Sequence, residues 1–384
     1  MEVNLSVASL DPSATLAITS LTKKLKSQGQ DVVNFAAGEP DFDTPDFIKN
    51  SGKAAIDEGF TKYTPSVGLI ELRQAIAEKV GSENNISFDS NNVIVTTGAK
   101  YALFCAIFCL INPGEEVLLP SPYWVSYPQM VKLARGKLKV LPTLPDNNFK
   151  LTPGVLEKNI TAKSKLLILN YPNNPTGSTL MEEDLKDICE IAKKHNLYVL
   201  SDEIYEKLIY DGKKHTSFAS LPGAKDFTVT VNGMSKSFSM TGWRIGYLAA
   251  NEKLVNEISK IIDHTTSCAC SIAQKAALCA LKEGDSWQNK IKGIFQERRD
   301  LLYQGLSGIN KLSPFKPEGT FYLFCDIRGT GLSSFDFCSQ LLEKHMVSCI
   351  PADSFGAGGF VRFSFAASLE NIEKGIERIK KFIG

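Results

Sequence analysis

Short, almost continuously apolar runs alternate with amphipathic stretches of helical length through the middle of the chain. The apolar runs are NVIVTT (92–97), EVLLP (116–120), KLLILN (165–170), YVLSD (198–202), TVTVNG (228–233) and RIGYLA (244–249). Such runs predict strands covered on both faces, the pattern of a parallel sheet. The stretches between them predict helices. Over 181–196, Leu185, Ile188, Ile191 and Ala192 share one face, and Thr179, three residues before Glu182, reads as a capping box opening that helix. Strand–helix alternation of this kind predicts an α/β fold with a mostly parallel sheet flanked by helices. After about residue 285 the pattern changes. A charged helix over 288–306 leads into GTFYLFCDI, VSCIPA, VRFSFA and a final helix, which reads as a smaller α+β domain. The first thirty or so residues read as a short extended arm and a helix.

Composition narrows the function classes. The chain has 384 residues with 43 Lys+Arg against 42 Asp+Glu, a formal net charge of +1. That balance offers no long-range attraction to nucleic acid or to an anionic membrane. No apolar stretch reaches the roughly 18–20 residues needed to cross a bilayer. The opening MEVNLSVASLDPSATLAITS lacks a basic segment followed by an apolar one and carries Asp11, so no secretory leader is expected. Nine cysteines form no CxxC pair, and Cys105, Cys109 and Cys279 sit in apolar runs. They read as reduced core thiols, which predicts a reducing, cytoplasmic setting. There is no GxxxxGK[ST] loop, and GAGGF at 356–360 lacks the third glycine of a dinucleotide fingerprint. The four histidines are scattered without an HExxH pair, so no metal is expected.

The unusual polar groups follow the strands directly: TGAK after VIVT, NYPNNPTG after LLIL, SDEIY after YVL, and NGMSKS after TVTV. Ligands of open parallel sheets bind beyond the carboxyl ends of the strands, so these segments can converge on one crevice. Lys236 ends such a strand among Ser, Gly and Thr, where desolvation would lower its pKa and suit Schiff-base chemistry. Arg244 lies eight residues on as a candidate fixed cation. Asp202 closes YVLSD and must be paired or hydrogen-bonded there. Tyr205 follows three residues later, and Asn174 sits in a Pro- and Gly-stiffened turn.

The ordered set AAGEPDFDTP, TKYTPSVG, TGAKYALF, PSPYWVSYP, YPNNPTG, SDEIYEKLIYDG, NGMSKSFSMTGWRIGY, PEGTFYLF and VRFSFA, with PSAT near the start, carries a resemblance over nearly the whole chain. Asn174 to Asp202 spans 28 residues and Asp202 to Lys236 spans 34. The chain resembles the class I/II, fold-type I aminotransferases that use pyridoxal 5′-phosphate, and within them the beta subgroup of bacterial-type aspartate aminotransferases. The resemblance implies that residues 1–45 form an arm and part of the small domain, 46–285 the large cofactor-binding domain, and 286–384 the small domain.

It also implies roles. Lys236 would hold the cofactor through a Schiff base and then shuttle a proton at the substrate's α-carbon. Asp202 would pair with the pyridine nitrogen, while Asn174 and Tyr205 would hydrogen-bond the phenolate oxygen and Trp124 would stack on the ring. Gly98, Ala99, Lys100, Ser235 and Arg244 would meet the phosphate, joined by Tyr63 from a neighbouring subunit. Arg362 would clamp the substrate α-carboxylate, Gly38 would admit the substrate to the backbone, and Trp124 and Asn174 would border it. Lys100 would meet a distal carboxylate, which favours aspartate, glutamate and their keto acids. A homodimer with shared active sites follows, with small amino and keto acids as partners. Relatives that also act on prephenate tend to be basic just before PSAT. Asp11 stands there in this chain and would repel a second carboxylate, which argues against prephenate; a broader aminotransferase acting on prephenate or aromatic amino acids is the alternative reading. A cofactor-binding regulatory module is disfavoured by the presence of both Asp202 and Arg362. Cys268 and Cys270 depart from the family pattern and read as packing residues.

Overall fold

The computed structural model describes residues 4–11 and 14–384, so Pro12 and Ser13 of the PSAT motif lie outside the described residues. The larger sheet has seven strands. In spatial order they are Val93–Thr96, Gly246–Ala249, Thr228–Gly233, Tyr198–Asp202, Ser164–Asn170, Glu116–Ser121 and Lys137–Pro142. All are parallel except Gly246–Ala249, which pairs antiparallel with both neighbours. The link before it holds only the one-turn helix Met234–Ser237, so the chain turns back rather than crossing over. Six of these strands are the apolar runs of the sequence. The seventh, Lys137–Pro142, has no such run because it is an open edge of the sheet, with Lys137, Val140 and Pro142 exposed, whereas the opposite edge, Val93–Thr96, is buried. An edge is where a proline forfeits no ladder hydrogen bond.

Helices cover both faces. Ala99–Leu110 is apolar nearly all round, with Ala102, Cys105 and Ala106 fully buried against the sheet and against Glu252–Asp263. On the other face Asp46–Asp57, Ile70–Asn84 and Ser271–Glu283 pack over Val93, Val95 and Tyr247. The small lobe is a four-stranded antiparallel sheet ordered Ile350–Pro351, Phe360–Ser364, Tyr322–Asp326, Ser313–Phe315. The long helix Asp285–Ser307 and the final helix Leu369–Ile383 pack with it in one core. The start of the chain folds into this lobe: Val33–Asn34 pairs parallel with Val347–Ser348, and the Phe35 carbonyl accepts from Ser364 N–H at 2.8 Å. The expected N-terminal arm includes a short helix, Leu5–Ala8, before the helix Ala14–Ser27.

Two local expectations are corrected. The helix at 181–196 runs Glu182–Lys194, and its entry is capped by Asp184, whose carboxylate accepts from Met181 N–H at 2.9 Å. The Thr179 hydroxyl is drawn away to donate to Glu318 at 2.8 Å, a charged acceptor that outcompetes the helix end. Cys270 is exposed rather than packed, because it sits at the entry of Ser271–Glu283; Cys268 is half-buried.

The SDEIYE segment divides between two environments. Asp202 and Tyr205 line a cavity, while Glu203 and Glu206 join an ion network. Glu206 pairs with Lys79 of the helix Ile70–Asn84 and accepts from Asn84 at 2.7 Å; Glu203 meets His215 at 2.9 Å and Ser217 at 2.8 Å. Burial alone would raise the Glu206 carboxyl, but the Lys79 ammonium, with His215 and Asn84, outweighs it and holds the pKa at about 2, down from 4.5. This contribution to stability is present above the unfolded value and is lost as pH falls from about 4.5 toward about 2. Glu206→Gln is expected to cost about 2–3 kcal/mol, since the buried Lys79 loses its main partner and keeps Glu83. Denaturant unfolding of both proteins from pH 7 down to pH 3 measures this, and the gap between them narrows as the acid range is entered.

Candidate active site

The carboxyl ends of the large sheet, the first turn of Ala99–Leu110 and the small lobe enclose a cavity of about 390 Å³. Of the thirteen residues the sequence singled out, all but Gly98 and Tyr63 line it. Gly98 adjoins it behind Arg244. Tyr63 is 90% exposed and lies outside this chain's cavity. The reason for the convergence is topological: Asn170 pairs in register with Asp202 at the ends of adjacent parallel strands, and the next strand runs two residues past Asp202's partner Val231 to end at Gly233.

Lys236 sits on the one-turn helix Met234–Ser237 that follows Gly233. Its Nζ donates to the Gly38 carbonyl at 2.6 Å and lies 5.9 Å from the Tyr205 ring centroid. Burial lowers its pKa to about 8; Arg362 and Arg244 push the same way, against Glu39 and Asp202. A lysine so poised is a neutral amine for part of the time near neutrality. Asp202, 4% exposed, accepts from the Tyr127 hydroxyl at 2.6 Å and from Ile204 N–H at 3.2 Å. Burial raises its pKa to about 6, the hydrogen bonds and Lys236 opposing. A buried acid that two donors do not fully satisfy calls for a cationic or N–H partner from the cavity.

Arg362 lies in the middle of Phe360–Ser364 and is 2% exposed. It donates to Asn174 Oδ1 at 2.9 Å and to the Ala36 carbonyl at 3.3 Å, and its Nε has no partner. Its guanidinium stacks on Tyr322, 4.1 Å from the ring centroid. All these contacts are neutral. The Tyr322 hydroxyl in turn meets the Tyr205 hydroxyl at 3.1 Å, and burial holds the Tyr205 pKa well above its ordinary value.

Across the cavity lies an anion cradle. Helix Ala99–Leu110 starts at Gly98 with no side chain capping its first turn, so its leading N–H groups point toward the cavity. Gly98 has φ +81, and a Cβ there would stand 2.6 Å from Arg244 Nη2. Gly246 lets the strand pass beneath, since its Cβ would fall 2.3 Å from Ala99 N. Arg244 is fixed by donation from Nη1 to the Thr241 carbonyl at 2.8 Å, and Ser235 lies alongside, 8% exposed. Lys100 lies over Trp124, 4.8 Å from the ring centroid, and burial together with Arg244 lowers its pKa. Trp124 meets Tyr127 edge-on at 5.3 Å.

Sequence reasoning missed several of these partners. Tyr127, which fixes Asp202, stands inside the PSPYWVSYP motif but carries no signal of its own. Tyr322 reads as one aromatic in an apolar strand. Gly38 supplies a carbonyl to Lys236 in addition to an open approach. Asp11, expected to repel a second carboxylate, does not line the cavity; Lys132 at 2.7 Å and Gln129 at 3.1 Å hold its carboxylate elsewhere. The basic residue that does face the cavity from the N-terminal segment is Lys23.

Comparison with known proteins agrees with this geometry. The family model for aminotransferase class I and II matches residues 30–379. A curated aspartate aminotransferase of Bacillus subtilis is 43% identical, with 100% of this chain and 99% of that protein covered. A bifunctional aspartate aminotransferase and glutamate/aspartate-prephenate aminotransferase of Petunia hybrida is 44% identical over 99% of this chain and 83% of that protein. The solved structure of the Thermus thermophilus aspartate aminotransferase with maleate superposes with a TM-score of 0.96 at 39% identity, covering 99% of both chains. A crevice at the strand ends, a desolvated lysine, a buried acid and this full-length likeness place the chain in the class I and II aminotransferase family.

Proposed function

We propose that this protein is an aspartate aminotransferase, moving the amino group of L-aspartate to 2-oxoglutarate to give oxaloacetate and L-glutamate in two half-reactions at one site. The observation that carries the reading is Arg362, a buried guanidinium with only neutral partners and an unpartnered Nε. A buried cation of this kind is completed by a carboxylate in bidentate contact. The substrate's α-carboxylate fits that role, and Lys100 is the candidate for the distal one.

The residues present fit pyridoxal 5′-phosphate. The Gly98 cradle that a Cβ would fill, the uncapped helix start and Arg244 suit its phosphate, and buried Asp202 suits its ring nitrogen. When bound, that group supplies an electron sink for charge developing at the substrate's α-carbon. Lys236, with its pKa near 8, takes the α-proton and returns one in the second half-reaction. Asp202, held by Tyr127, would keep a negative charge at the ring nitrogen. Asn174 orients Arg362, and Tyr205, held by Tyr322, would offer its hydroxyl to the phenolate oxygen. The low-dielectric walls around them strengthen each of these interactions.

A homodimer fits the exposed Tyr63, which does not line its own chain's cavity, and a partly exposed aromatic row in which Phe104 stacks on both Tyr101 and Phe108. The division into an arm with part of the small domain (1–45), a large domain (46–285) and a small domain (286–384) is supported by the pairing of Val33–Asn34 with Val347–Ser348. A cytoplasmic location is in keeping with nine free cysteines.

Absorbance of the protein loaded with pyridoxal 5′-phosphate tests the reading. L-aspartate should abolish the long-wavelength band and 2-oxoglutarate should restore it. Loss of response to aspartate but not to aromatic donors would overturn the substrate. Lys236→Ala should abolish the band and lower turnover by roughly a thousandfold or more. Cofactor loading of the apoprotein should weaken as pH falls through about 6, where Asp202 gains a proton. Asp202→Asn should flatten that pH profile and reduce turnover by roughly a hundredfold or more.

A further inference from the structure

Resting on the acidic substrates proposed above, we infer that Lys23 determines specificity, receiving with Lys100 the side-chain carboxylate of five-carbon dicarboxylic substrates. The helix Ala14–Ser27 is held to the small lobe by one stripe. Ile18 packs on the cluster that includes Ile350 and Phe355, and Thr22 is fully buried with its hydroxyl donating to the Ile18 carbonyl at 2.8 Å. Residues one position on, about 100° around the helix, form the neighbouring stripe. They are Thr19 and Lys23, four apart, and both line the cavity.

Charge explains what Lys23 does there. Among the described residues, five cations, Lys23, Lys100, Lys236, Arg244 and Arg362, line the cavity against two carboxylates, Glu39 and Asp202. Both carboxylates are engaged: Glu39 accepts from Thr241 at 2.7 Å, and Asp202 from Tyr127 at 2.6 Å. Arg362 and Arg244 are matched by the α-carboxylate and the phosphate, and Lys236 by the reaction. Lys100 and Lys23 are left facing the rest of the substrate. Their settings differ. Lys100 lies over Trp124 and is desolvated enough for burial to lower its pKa, whereas Lys23 is exposed at the mouth. With the α-carboxylate fixed on deeply buried Arg362, a longer side chain carries its carboxylate further toward the mouth. A four-carbon acid therefore relies on Lys100, and a five-carbon acid reaches Lys23 as well. Because Lys23 is exposed, its effect is a graded preference rather than an absolute filter.

The test is the half-reaction of the loaded enzyme with glutamate, aspartate and alanine, in the wild type and in Lys23→Ala, Lys23→Gln and Lys23→Arg. Lys23→Ala and Lys23→Gln should raise KM for glutamate by about two- to fivefold with kcat unchanged. KM for aspartate should rise by a clearly smaller factor, alanine should be unaffected, and Lys23→Arg should restore glutamate. An equal change for all three donors would make Lys23 a structural residue and overturn the inference. So would an unchanged KM for glutamate in an enzyme that turns over both acids. If the wild type turns over neither acid, the substrate reading itself falls and this inference falls with it.

Discussion

A guanidinium buried without a carboxylate is the constraint around which this structure is arranged. Arg362 is 2% exposed, and removing such a charge from water costs several kcal/mol even after relaxation. Among the described residues nothing around it cancels the charge: an amide oxygen, a carbonyl and two aromatic faces only soften it. The fold tolerates this because the small-lobe sheet fixes its strand on both sides, through Phe324 and Ile350. A site held short of electrostatic balance favours an anion in the cavity beside it.

The same economy of charge governs the opposite wall. Lys236 and Asp202 are pushed toward neutrality from opposite directions, the lysine to about 8 and the acid to about 6, each mainly by burial. For Lys236 that leaves a fraction of neutral amine near neutrality, and for Asp202 the Tyr127 and Ile204 donors hold the acid below what burial alone would give. What keeps them in place lies behind them. Asp202 and Tyr205 face the cavity from a segment whose alternate acids, Glu203 and Glu206, are tied to His215 and Lys79. A turn carrying functional groups on one side is thus anchored by ion pairs on the other. Rigid support of this kind is what holds catalytic groups within the small tolerances their chemistry needs.

The N-terminal segment joins these two halves. Residues 33–35 are bonded into the small lobe, which brings the Ala36 carbonyl to Arg362 and the Gly38 carbonyl to Lys236. The helix before them rests on the same lobe through Ile18 and Thr22 and turns Lys23 into the cavity. Residues far apart in the chain therefore share one electrostatic field.

The sequence by itself determined the local and directional features. Apolar runs without alternation marked six of the seven large-sheet strands, and polar groups at their ends marked one crevice, because a strand buried on both faces can place polar chemistry only at its ends. The edge strand Lys137–Pro142 was illegible for the same reason: half-exposed, it has no continuous apolar run. Tertiary structure alone decided which long-range partners finish the site. Tyr127 and Asp202 are 75 residues apart, Arg362 and Asn174 are 188, and Lys236 and Gly38 are 198. A tyrosine in a motif or a glycine carbonyl carries no mark of the partner it will meet. It was also the tertiary structure that turned Asp11 away to Lys132 and brought Lys23 in. Which face a helix shows to a cavity depends on the lobe it packs against, and no local pattern specifies that.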